Sequence, residues 1–178
     1  MKLEQTNRII IKIGSALLFN ETSGSLNKEW LNSLAEDVKY LRENDKEVII
    51  VSSGAIAMGA KDLDLDMKNM KMDMNQAVSA VGQIHLMGSF KSAFEKNEIK
   101  ISQILLTLDD TEQRRRSINA RRTIDTLLKL GIVPVVNEND TIATSEIRYG
   151  DNDRLASRVA QITSADCLIL LSNCLLYT

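Results

Sequence analysis

Five short runs of Ile, Val and Leu punctuate the chain: Ile9 to Ile13, Val48 to Ser52, Ile101 to Leu106, Ile132 to Val136 and Cys167 to Leu171. Each is almost continuously hydrophobic rather than alternating, which is the pattern of a strand buried on both faces. Between the runs, apolar residues recur at helical spacing. Behind a candidate cap at Asn27, the residues Trp30, Leu31, Leu34, Val38 and Leu41 form one stripe, which Asn44-Asp45 ends. Met74, Ala77, Val78, Val81, Ile84 and His85 predict a second buried stripe continuing toward Phe94. Ser117 to Leu130 carries Ile118, Ile124, Leu127 and Leu128, and Gly131 closes it as a residue suited to a left-handed helix end. Leu155, Val159 and Ile162 predict a further helix, capped by Asp151 or Asn152. Strand and helix alternate throughout, so the expected fold is a three-layer α/β/α sandwich around a mainly parallel sheet. Pro134 interrupts the fourth run and lacks the N–H that a ladder needs, so a strand end or bulge is expected there. Lys61 to Asp73 is the most loop-like stretch.

Length and charge narrow the picture. The 178 residues suffice for one sizeable core. With 22 Lys and Arg against 24 Asp and Glu, no long-range field favours nucleic acid or an anionic membrane. No apolar run is long enough to cross a bilayer, and Lys12 and Gly14 break the short apolar stretches of the first twenty residues. Cys167 and Cys174 have neither metal-ligand spacing nor a C-x-x-C arrangement, so a reducing cytoplasm is the expected setting. Arg114-Arg115-Arg116 and Arg121-Arg122 are offset by Asp109, Asp110, Glu112 and Asp125, as on a solvated helix face. The one histidine, His85, lies among apolar residues, and Met67, Met70, Met72 and Met74 suggest an adaptable apolar surface. Neither a Walker loop nor G-x-G-x-x-G is present.

In open α/β sheets ligands bind beyond the carboxyl ends of the strands, so the residues following each run carry the chemistry. At the end of the first run, Lys12-Ile13-Gly14-Ser15 sets a lysine within the apolar strand just before a glycine turn. A phosphate chain over Gly14 would supply its anionic partner; a lysine snorkelling from a strand end would explain the same residues. Ser52-Ser53-Gly54-Ala55 passes directly from strand to helix, as close backbone approach to an anion or tight packing alone would require. Asn137-Glu138-Asn139-Asp140 crowds amides and carboxyls behind a buried strand, which is costly unless solvated or ligand-bound, although such residues also build ordinary turns. Gly150-Asp151-Asn152-Asp153 leads into the last helix with more polar groups than one cap needs.

In this order and spacing, Lys12-x-Gly14-Ser15, Ser53-Gly54-Ala55-Ile56-Ala57, Asn137-Glu138-Asn139-Asp140 and Gly150-Asp151-Asn152-Asp153 closely resemble the glutamate 5-kinase branch of the amino acid kinase family. Ala80-Val81-Gly82-Gln83 and Asn119-Ala120-Arg121 are similar too. The resemblance implies transfer of the γ-phosphoryl group of ATP, with Mg²⁺, to the side-chain carboxylate of L-glutamate, as the first step toward proline. It implies that Lys12 and Asp153 are catalytic, Lys12 neutralising charge on the phosphoryl group and Asp153 orienting Lys12. Ser53, Gly54, Asn137, Asp140 and Asn152 would hold substrate. Gly14, Ser15, Ser172 and Asn173 would join Lys12 along the ATP phosphates, with no protein metal ligands. It further implies a homo-oligomer and proline as a feedback inhibitor.

The chain departs from the family pattern after the fifth run. The family carries Ser/Thr-Asp, two variable residues and Gly-Leu-Tyr-Thr, whereas here the residues are Ser172-Asn173-Cys174-Leu175-Leu176-Tyr177-Thr178. Residues 1–178 are therefore expected to be the glutamate-binding, amino-terminal part of an amino acid kinase domain, with the rest of the nucleotide-binding half and any PUA domain absent. An uncovered last strand would then favour self-association. Two other readings share these residues: a non-catalytic remnant that binds glutamate, proline or a partner subunit, and a kinase for another amino acid or carbamate.

Overall fold

The computed structural model describes residues 3–20, 25–68, 70–143 and 151–173. The five apolar runs form β1 (Arg8–Ile13), β2 (Glu47–Ser52), β3 (Ile101–Leu106), β4 (Val133–Glu138) and β5 (Cys167–Leu171). They make one all-parallel sheet in the order β3-β4-β2-β1-β5. Alternation along each strand serves two cores. Ile9, Ile11 and Ile13 join Val48, Ile50, Val133 and Val135 in one, while Ile10 joins Ile49, Val51 and Val136 in the other. This two-sided burial is why the runs read as continuous.

The first core is covered by α1 (Ser15–Leu18), α2 (Lys28–Glu43), α3 (Ala55–Asp62) and α4 (Met72–Glu95). The second is covered by α6 (Arg114–Lys129) and α7 (Asp151–Thr163), with Leu108 of the short α5 (Leu108–Glu112) packed against it. The expected three layers are therefore present. Asn27 caps α2 as expected, accepting from the Trp30 N–H at 3.1 Å, and Gly131 adopts a φ of +70° beyond α6.

Three sequence expectations are corrected. β4 runs through Asn137 and Glu138, both buried, so these two residues are strand rather than turn. Pro134 lies inside β4, opposite Ser102 of β3. The Val133 N–H donates to Lys100 on the β3 side, which by alternation turns Pro134 toward β2. Pairing with β2 begins only at Val135, so the missing N–H costs no rung. The stripe assigned to α4 is also rotated. Met74, Ala77 and His85 are exposed and Ile84 is 75% exposed, whereas Val78, Ser79, Gly82, Gln83, Leu86 and Phe90 are buried. On α6, Ile124 is buried while Ile118 is exposed. His85 meets Asp62 at 3.2 Å on the surface.

Both ends of the sheet are tied by polar groups. At the amino-terminal end, Arg8 reaches Glu47 at 2.7 Å and Asp125 at 2.9 Å and donates to the Thr163 carbonyl. Burial opposes the Arg8 charge, but these carboxylates outweigh it and raise the guanidinium pKa further. Asp166 accepts from the Asn7 and Arg8 backbone N–H groups at 2.8 Å each, joining the starts of β1 and β5. The opposite end carries the candidate site.

Candidate active site

Because the strands are parallel, all five release their chains at one rim, and the strand order sets the sequence of groups along it. Asn137 to Asp140 lie beyond β4, Ser53 and Gly54 beyond β2, Lys12 to Ser15 at the end of β1, and Ser172 and Asn173 beyond β5. The first turn of α7 adds Asn152 and Asp153. Residues far apart in sequence thus share one edge, as expected.

Lys12 follows Ile10 on the α7 side of the sheet, and its Nζ lies 2.6 Å from Asp153 Oδ1. The lysine side chain is only 12% exposed and the aspartate 50%, so the ammonium is largely enclosed while its counter-ion faces solvent. A Cβ on Gly14 would stand 3.3 Å from the Leu171 carbonyl and 3.9 Å from Lys12 Nζ. Gly14 thereby leaves room beside the ammonium, and its N–H donates to the Leu171 carbonyl at 3.0 Å, joining the ends of β1 and β5. Ser15 starts α1 and is exposed, as are Ser172 and Asn173.

Gly54 combines two requirements. Its φ of +101° favours glycine, and a Cβ would stand 2.6 Å from the Phe19 ring. The turn brings Ser53 to Asn152, whose Nδ2 donates to Ser53 Oγ at 2.8 Å across 99 residues of sequence. Asn152 Oδ1 is buried and has no hydrogen-bond partner among the described residues, which leaves an acceptor available for a donor from a ligand. Asn152 lies inside the first turn of α7, while Gly150 is outside the described residues, as is the side chain of Asp151.

On the β4 side, Asn137 is 4% exposed and its Oδ1 accepts from the Glu138 N–H at 2.9 Å. Asp140 is buried and accepts from Ser79 Oγ of α4. Gln76, one turn earlier, donates to the Ala143 carbonyl at 3.0 Å. Neither Ser79 nor Gln76 is among the residues expected from sequence. A signal exists, since Gln76, Ser79 and Gln83 form a polar line at helical spacing within an apolar helix.

Beyond β3, Thr107 and Asp110 form a reciprocal cap that opens α5. Burial opposes the Asp110 charge, but the Thr107 N–H and hydroxyl, with Arg116, hold the carboxyl below the usual carboxylate range. A cavity of about 450 Å³ opens beside Ser15, walled by Phe19, Ala57, Ala60 and Leu65. A second, of about 470 Å³, lies along α7 from Asp153 to Gln161. Among the described residues no cluster of three His, Cys, Asp or Glu side chains is arranged to hold a metal ion, and no helix is long and apolar enough to cross a membrane.

Such a rim offers an enclosed cation beside glycine, then amides and a carboxylate two strands away. It suits two anionic reactants brought side by side. Known proteins agree with the architecture. A solved isopentenyl phosphate kinase product complex from T. acidophilum superposes with a TM-score of 0.62 over 94% of this chain and 71% of its own, at 14% identity. A glutamate 5-kinase of Pelagibacter ubique is 61% identical over 173 residues, which is 97% of this chain and 47% of that protein. Glutamate 5-kinase 1 of Mesorhizobium japonicum is 56% identical over 171 residues, 96% of this chain and 45% of that protein. The chain thus spans about half the length of the curated relatives it matches. Residues 7–174 match the amino acid kinase family, and with the parallel sheet and its polar rim in place the chain belongs to that family.

Proposed function

We propose that this chain forms the acceptor side of a glutamate 5-kinase, which moves the γ-phosphoryl group of ATP onto the side-chain carboxylate of L-glutamate. The carrying observation is the enclosed Lys12 ammonium at the junction of two groups of residues. On one side, Ser53, Gly54, Asn137, Asp140 and Asn152 would hold the amino acid. On the other, Gly14, Ser15, Ser172 and Asn173 would line the phosphate path.

The chemistry asks for little beyond this. A carboxylate oxygen attacks the γ-phosphorus, ADP leaves, and no side chain needs to form a covalent bond. Two anions must be held in line, and Lys12 would spread its charge over the phosphoryl oxygens as they approach. Asp153 holds the ammonium in place until the phosphate arrives. The Asp140 carboxylate and the unpartnered Asn152 Oδ1 suit the ammonium of an amino acid, and the Ser53 hydroxyl and Asn137 amide suit its carboxylates. Mg²⁺ would enter on the phosphates of the nucleotide, where it neutralises charge. Proline would compete for the groups that hold the α-carbon substituents, and a cytoplasmic setting follows from the substrates.

The experiment is trapping. Incubation with ATP, Mg²⁺, L-glutamate and hydroxylamine should yield the hydroxamate of an acyl phosphate, strongly reduced with Lys12→Ala. No signal above that control would remove catalysis by this chain. Glutamate binding without turnover would favour the second reading, a chain that binds the amino acid without catalysis. A panel of aspartate, acetylglutamate and carbamate tests the choice of acceptor.

A further inference from the structure

The proposed acceptor site is built from strand ends and the first turn of α7, yet α4 reaches it as well. Ser79 Oγ donates to Asp140 Oδ2, and the two residues are 1% and 8% exposed. Gln76 lies three residues earlier on the same helix face, and its amide holds the Ala143 carbonyl at 3.0 Å. Two donors one turn apart thus grip both ends of the segment from Asp140 to Ala143.

The depth of this grip is set by backbone packing. A Cβ on Gly82 would stand 1.8 Å from the Ala55 carbonyl, and one on Gly59 would stand 1.9 Å from the Val78 carbonyl. α3 and α4 therefore cross with their backbones in contact, and the crossing that seats Ala55 behind Gly54 also seats Ser79 against Asp140. A hydroxyl buried on an apolar helix is costly unless paired, and a buried carboxylate more so. A hydrogen bond to a charged group is stronger than one between neutral groups and fixes its acceptor in one orientation.

We propose that Ser79 is a positioning residue of the acceptor site, holding the Asp140 carboxylate in the orientation that receives the ammonium of the amino acid. Its effect is on acceptor affinity and passes through Asp140. The inference rests on the reading of Asp140 as a substrate-binding group.

The test is an NMR-monitored titration of the 178-residue chain with L-glutamate, in wild type and in Ser79→Ala, Ser79→Cys and Ser79→Thr. Cysteine keeps the size of serine but is a weak donor, and threonine keeps the hydroxyl. Alanine and cysteine should each weaken glutamate binding on the order of tenfold, the effect of losing a hydrogen bond to a charged group. Threonine should bind within about threefold of wild type, since the bond that carries the effect is kept. Wild-type affinity in both the alanine and cysteine variants would overturn the inference, as would a threonine variant weakened as much as they are. Those results leave the acceptor reading standing. A wild-type chain that does not bind glutamate would instead bring down the acceptor reading, and the role of Ser79 with it.

Discussion

The Lys12 ammonium lies 2.6 Å from the Asp153 carboxylate, joining the end of β1 to the first turn of α7 across 141 residues of sequence. This pair stands between the β4 and β2 groups and the β5 end of the rim. Removing the ammonium should therefore separate chemistry from acceptor binding. Lys12→Ala is expected to lower hydroxamate formation on the order of 100-fold or more, as for loss of an electrostatic group at a transition state. Glutamate affinity should change by less than about threefold, because few acceptor contacts are lost. Assays of trapping and binding on the same preparation check both halves.

The contact between α3 and α4 makes opposite predictions for two glycines on one helix. At Gly82 an added Cβ meets the Ala55 carbonyl, which is backbone and cannot swing aside. Gly82→Ala should destabilise the fold by about 1–3 kcal/mol or more. At Gly88 an added Cβ meets nothing within 4 Å. Gly88→Ala should stabilise by up to about 1 kcal/mol through helix propensity. Urea unfolding of both variants measures the contrast.

Asp166 supports the sheet at the end away from the site. The Arg8 and Asn7 backbone N–H groups favour its charged form and hold its carboxyl below the usual carboxylate range. A depressed folded-state pKa contributes stability that is complete above the unfolded value, near 3.9, and is lost as pH falls through the folded value. Asp166→Asn should therefore melt below wild type at about pH 6, and the gap should close as the pH is lowered beneath the usual carboxylate range. Thermal unfolding across pH tests this, and a gap that widens on acidification would contradict it.

The strands were legible because Ile9 to Ile13 and Val48 to Ser52 are buried on both faces, which leaves an unbroken apolar run in the sequence. The rim was legible because Lys12 sits at the end of such a run, Ser53 and Asp140 follow one, and Asn152 stands at the start of the last helix. Helix α4 was not, since apolar residues surround it on every side and periodicity cannot choose its inner face. Packing against α3 made that choice, through Gly59 and Gly82. Asn137 and Glu138 looked like a turn because polar residues seldom extend a buried strand. Ser79 and Asp166 act on partners 61 and 159 residues away, and a single small polar side chain gives no local sign of such a bond.

The proposed function depends on one rim receiving an amino acid, and the amide spectrum of the 178-residue chain titrated with L-glutamate tests that most directly. Saturating shifts are expected at residues following β1, β2 and β4 and at the start of α7, around Lys12, Ser53, Asp140 and Asn152. A spectrum that does not change, or changes confined to the Arg8 and Asp166 end of the sheet, would contradict it.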